Sequence, residues 1–234
     1  ALDNPAVLVI DTTTLQRVGG QMGSTSAGVY QDDSGRRYYV KSLDSPAHAR
    51  NELIAARLYQ LAGAPTLSYV RTTLPNQIAT ELVTLDKNRV SRLSPAERQQ
   101  AQQWLGVHAW TANWDVAGFD GDNQGVVDGT VVTLDVGGAL AYRAQGDPKG
   151  EAFGTRVDEL DLLRSAEHNP QAARLFGDMS AEAVRSAIAV VTRLADLQIR
   201  QVITDHGGSL ALADKMVARK VDMARRVELG AVDR

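Results

Sequence analysis

The sequence predicts an α+β chain in two lobes. A small, mostly antiparallel β lobe with one helix spans residues 1–85, and a larger, mainly helical lobe spans 86–234. Three observations predict this. Short apolar runs alternate with turn signals up to about residue 85, one strongly capped helix interrupts them, and long helical periodicities follow.

In the first part, "AVLVI" at 6–10 reads as a short buried strand, followed by the glycine-rich stretch "GGQMGSTSAGVY" at 19–30. Residues 29–31 and 37–43 ("RYYVKSL") flank an Asp32-Asp33-Ser34-Gly35 turn and make a hairpin. Ser45 and Pro46 open a helix as N-cap and first residue, and Gly63 closes it. Residues 67–74 and 77–83 form two more strands about Pro75-Asn76. In the second part, the capping box Ser94-Pro95-Ala96-Glu97 starts a helix running towards Trp110. Asp128-Gly129 marks a hairpin between 124–127 and 130–134, and helices are predicted over 157–165, 170–176, 181–204 and 209–229.

Composition narrows the function classes. The 234 residues are 44% apolar and 23% charged, with net charge −3, so there is no general pull towards nucleic acid or anionic membrane. With no cysteine, disulfides, thiol catalysis and Cys-ligated zinc are excluded, which fits a reducing, cytoplasmic compartment. No apolar run approaches the ~20 residues that span a bilayer. The chain begins with Ala1, as a domain excised from something longer would. The four histidines are scattered, with no i, i+4 pair for zinc.

Gly23 to Gly28 has the spacing that begins a P-loop, but Val29-Tyr30 stand where Lys and Ser/Thr belong, and a hairpin follows instead of a helix. A flexible turn and a glycine-rich lid over phosphates both remain open on these residues alone. In the lid reading, small residues let the backbone approach the phosphates, and Ser24, Thr25 and Ser26 add hydroxyl donors.

Later residues favour the lid. Lys41 follows on the returning hairpin strand, where an ammonium can hold phosphate as a point charge. Glu52 shares a helix stripe with Ala49, Ala56 and Tyr59, whose small members allow close approach to a sheet and a meeting with Lys41. "TANWDVAGFDGDNQGVV" at 111–127 places Asn123 eight residues beyond Asp115, and "LDVGG" follows the next hairpin with Asp135. Phosphoryl transfer needs one carboxylate for the acceptor hydroxyl and oxygen ligands for a metal on the phosphates, and these three residues supply them in order. Arg143 and Lys149, in "YRAQGDPKGEAFG", have two readings, contact with phosphate or substrate and plain surface placement, and the second is the expectation.

With "GSTSAGVY", "YYVK", "RNELIAARLYQLAG", "ANWDVAGFDGDNQGVV" and "LDVGGAL", residues 19–142 resemble the atypical branch of the protein-kinase-like fold. That branch includes actin-fragmin kinase, HipA-type toxin kinases, phosphoinositide 3/4-kinases and related bacterial effector kinases. The Asn113-Trp114-Asp115 start of the catalytic loop is its mark. The resemblance implies an ATP- and Mg²⁺-dependent kinase (Mn²⁺ as substitute), with Lys41 and Glu52 as the phosphate-anchoring pair. It also implies Asp115 as catalytic base, Asn123 and Asp135 as metal ligands, and adenine held by the backbone at Glu81-Leu82-Val83. Asp122 beside Asn123 competes for the metal, Val-Gly-Gly follows Asp135 where Phe-Gly is usual, and no Ala-Pro-Glu follows. The expected acceptor is a protein hydroxyl, with an inositol lipid or small molecule left open. An effector of this kind would act in a target cell's cytosol. Adenylylation on the same fold and a nucleotide-binding pseudokinase are the rival readings.

Overall fold

The computed structural model describes residues 9–22 and 26–230. A six-stranded sheet is built from β1 (Val9–Ile10), β2 (Gln16–Gly19), β3 (Ala27–Gln31), β4 (Arg37–Ser42), β5 (Tyr69–Thr72) and β6 (Gln77–Glu81). The strand order is β1-β5-β6-β4-β3-β2, antiparallel except for the parallel β1–β5 pair. Of the strand expected at 6–10, residues 6–8 lie outside the described residues. The strand leading into the glycine-rich stretch is β2, which the sequence did not announce because "QRVG" is exposed and has no apolar alternation.

Helix α1 (Pro46–Ala62) forms where its caps place it. Ser45 accepts the His48 amide at 3.1 Å, Pro46 takes the first turn, and Gly63 ends the helix at φ 85°. Its stripe Ala49, Glu52, Ala56 and Tyr59 is buried, and the helix packs on β6. Removing the methyl and methylene groups of larger side chains from that stripe is what brings a carboxylate against the sheet.

The second lobe contains α2 (Pro95–Gln102), α3 (Leu105–Trp110), the hairpin of β7 (Gln124–Val127) and β8 (Thr130–Thr133), and then α4 (Glu159–Leu162), α5 (Pro170–Phe176), α6 (Ala181–Thr192), α7 (Asp196–Asp205) and α8 (Leu210–Glu228). The helix expected from Ser94 to Trp110 is broken at Gln103-Trp104. The break frees α3 to bury all six of its residues. Gly106 lies so close to α6 that an added Cβ would fall 2.2 Å from the Ala187 carbonyl oxygen. The expected 181–204 helix is likewise two helices. No glycine or proline marks that break. Lys220 meets it from a distance, donating to the Leu194 carbonyl at 2.7 Å and pairing with Asp196 at the start of α7. Of the helix expected at 157–165, only α4 is helical.

Candidate active site

Strand β4 and helix α1 carry the first two charged groups. The Lys41 Nζ donates to both Glu52 carboxylate oxygens, at 2.7 and 2.8 Å, and to Asp135 Oδ2 at 3.0 Å. Burial opposes the ammonium charge, and Asp135 and Glu52 more than offset it, holding Lys41 above the ordinary lysine range. Burial likewise works against ionised Asp135. Lys41 and the Gly137 amide, which donates to Oδ1 at 2.7 Å, prevail and lower its pKa. The Tyr69 hydroxyl accepts the Val136 amide at 3.1 Å, so β5 is tied to the chain just past Asp135. Asn51 does the same from α1, donating to the Ala139 carbonyl and accepting the Ala141 amide.

Asp115 and Asn123 come from the loop between α3 and β7. Burial, then the charges of Asp135 and Asp122, push the Asp115 carboxyl up to about 6. The Asn123 side-chain amide donates to the backbone carbonyls of Asp115 and Asp135, both at 2.8 Å. Its Nδ2 is thus committed to holding the two loops together. Its Oδ1 accepts no hydrogen bond among the described residues and remains as an oxygen donor. An amide oxygen beside a carboxylate fits a Mg²⁺ ion that completes its octahedron with phosphate oxygens and water. Among the described residues no group of three or more His, Asp and Glu is gathered to hold a metal by itself. The exposed Asp122 faces Arg89 at 3.6 Å.

Lys41, Glu52, Tyr69, Asp115, Asp122, Asn123, Asp135 and Gly137 line one cavity of about 620 Å³, together with Met22, Tyr39, His48, Leu85 and Phe119. Glu81, Leu82 and Val83 line it too. The Glu81 and Leu82 amides are spent on Ser68 and Arg37 carbonyls, while the Val83 amide has no acceptor among the described residues. Gly23, Ser24 and Thr25 lie outside the described residues. Ser26 and Gly28 are not in the cavity lining. Gly28 sits inside β3, where an added Cβ would meet the Arg17 Nε at 2.8 Å, and the Ser26 carbonyl accepts the Ser42 amide. From the glycine-rich stretch, Met22 reaches the cavity, its amide donating to the Tyr39 hydroxyl at 3.0 Å.

The surface placement expected of Lys149 does not hold. It is 4% exposed, with Nζ 4.4 Å from the centre of the Trp114 ring. Arg143 is half-buried and lies 5.0 Å from the same ring. Two backbone carbonyls take the Lys149 protons, a stabilisation no local pattern announces.

Tyr69, Asn51 and His48, which stacks on Tyr142 at 4.5 Å, escaped the sequence reading. The one trace was two adjacent polar residues, Asn51-Glu52, on a helix whose apolar neighbours are buried.

No family model matches the sequence, and no curated protein matches it. Solved structures do. The Helicobacter pylori proinflammatory kinase CtkA superimposes with TM-score 0.60 and 12% identity, over 97% of each chain. The fold is kinase-like. An aminoglycoside phosphotransferase from Alicyclobacillus acidocaldarius aligns at TM-score 0.38 and 15% identity, over 99% of this chain and 96% of its own. A type I macrolide 2'-phosphotransferase aligns at 0.40 and 11%, over 95% and 89%. The kinase-like fold agrees with what the motifs resemble, and placement in the atypical branch rests on the motifs alone. Among the described residues no helix is long and apolar enough to cross a membrane.

Proposed function

We propose that this chain is a kinase that binds ATP with a divalent cation and transfers the γ-phosphoryl group to a hydroxyl, most plainly one on a protein. One observation carries the reading: the Lys41 ammonium touches Glu52 and Asp135 together, at 2.7 and 3.0 Å, inside a cavity that also holds Asp115 and Asn123. A salt bridge serving stability alone has no need of a second carboxylate, from a distant part of the chain, in the lining of a cavity.

In this reading Asn123 and Asp135 would hold Mg²⁺, which supplies charge neutralisation across the phosphates. Lys41, fixed by Glu52, presents its charge to the phosphates without reorganising as the transfer proceeds. Asp115 accepts the hydroxyl proton. A pKa of about 6 leaves it mostly ionised at neutral pH yet basic enough to take a proton. In this reading the free Val83 amide would donate to adenine, and Met22 would cover the nucleotide. The exposed Phe119, 91% accessible beside the cavity, gives a protein acceptor an apolar foothold.

ATP with Mg²⁺ is expected to raise the thermal midpoint by mass action, and labelled ATP to give autophosphorylation. Lys41→Met should weaken ATP binding roughly 10–100-fold, the ~1.5–3 kcal/mol of a hydrogen bond to a charged group. Isothermal calorimetry reads that change, and equal affinities in both proteins would remove Lys41 from the site. Mass spectrometry of the product decides the reaction. A phosphate adduct supports the proposal, and an adenylate adduct replaces it with the rival transfer.

A further inference from the structure

Among the described residues Lys149 and Arg219 are buried, and Lys41 is largely covered. Lys41 pairs with Glu52, and Arg219 pairs with Glu159 at 2.9 Å. Lys149 is different. Its Nζ donates to two backbone carbonyls, Ala112 at 2.6 Å and Gly138 at 2.8 Å, and faces the Trp114 ring. Glu159 attracts it through space, Arg219 and Arg143 repel it, and burial dominates all three, lowering its pKa to about 7. A buried ammonium held by dipoles and a ring face costs stability that an apolar side chain would not.

The two carbonyls are not arbitrary. Ala112 lies three residues before Asp115, and Gly138 three residues after Asp135. The loops they belong to are strained at the same place. Ala112 is left-handed at φ 52° and Leu140 at φ 56°, conformations that cost non-glycine residues on the order of 1–3 kcal/mol each. They are also in close contact. The Leu140 amide donates to the Thr111 carbonyl at 2.6 Å, and a Cβ added to Gly138 would lie 3.0 Å from the Asp115 Cβ. Lys149 itself is held in place by its amide, which donates to the Ala141 carbonyl at 2.8 Å.

We infer that Lys149 is a positioning residue, whose side chain clamps the loop carrying Asp115 to the loop carrying Asp135 and so sets the distance from base to phosphate. This rests on the kinase reading above. The clamp belongs to the segment that follows the metal carboxylate, so the fold of that segment is transmitted to the base.

The test is Lys149→Met in the full chain, which keeps the stem and removes the donors. The Kd for ATP with Mg²⁺ is expected to stay within about threefold. Turnover in autophosphorylation is expected to fall about 10²-fold, as for a base displaced by an ångström. The thermal midpoint should hold or rise, and exchange of the Leu140 amide should accelerate. Turnover within about threefold of wild type overturns the inference. So does a variant that loses ATP binding and folding together, which would make Lys149 a stability residue. If the wild-type protein neither binds nor turns over ATP, the kinase reading fails, and Leu140 exchange still decides whether the clamp exists.

Discussion

Asp115→Ala is expected to lower phosphoryl transfer by ~10²–10⁴-fold, the usual contribution of a positioned acid or base, with ATP affinity little changed. The expectation follows from where the carboxylate lies. It shares the cavity with Lys41, Asn123 and Asp135, and its backbone carbonyl is fixed by the Asn123 amide. The wild-type rate should rise with pH through about 6, since burial and the charges of Asp135 and Asp122 hold the proton on Asp115 below that value. Stability moves the other way. The unfolded chain releases this proton near pH ~4, so between ~4 and 6 the folded state binds more protons and loses stability as pH rises. Asp115→Asn should therefore raise the thermal midpoint at pH 7–8, with the gain vanishing below pH ~4. An inactive, stabilised variant at neutral pH is the signature of a base held ready at the expense of the fold. An Asp115→Ala protein that transfers phosphate at the wild-type rate would refute the assignment.

Arg219→Met destabilises the protein by about 3–5 kcal/mol, the cost of breaking a buried ion pair from one side. Every donor of this fully buried guanidinium is used. Nε bonds the Trp110 carbonyl at 2.8 Å, the two terminal nitrogens bond the carbonyls of Gly154, Arg156 and Ala109, and one of them also meets Glu159 at 2.9 Å. Glu159 in turn accepts the Trp114 indole N–H at 2.8 Å. The loss therefore reaches the residue next to Asp115. Chemical denaturation measures the change. Adding Glu159→Leu should recover the part due to the stranded carboxylate and leave the part due to the carbonyls. A single Arg219→Met variant as stable as wild type would show that water replaces the guanidinium.

The elements of the fold differ in how readable they were. Helix α1 could be delimited from Ser45, Pro46 and Gly63, because caps act on neighbours a few residues away. The hairpin at Asp128-Gly129 was legible for the same reason, Asp128 taking φ 48° and Gly129 φ 79°. Strand β2 was not, since its exposed residues carry no alternation and it exists because β3 pairs with it. The breaks before α3 and α7 were not legible either. Beside one, Gly106 packs on Ala187, and at the other Lys220 bonds Leu194, and both contacts come from far away in the chain.

The site follows the same division. Lys41, Glu52, Asp115, Asn123 and Asp135 stood out in the sequence because their chemistry recurs at spacings set by local turns and helical periodicity. Those short-range rules determined the α+β class, the caps of α1 and the identity of the charged residues. Only the tertiary structure decided that the expected Lys41–Glu52 pair also takes in Asp135, that Tyr69 and Asn51 fasten β5 and α1 to the chain beyond Asp135, and that Lys149 is buried on Trp114. Each of those contacts joins residues far apart in sequence, through a single hydrogen-bonding group or ring face. Such a group leaves no periodic trace in the chain. Its role exists once packing has removed the water that would otherwise satisfy it.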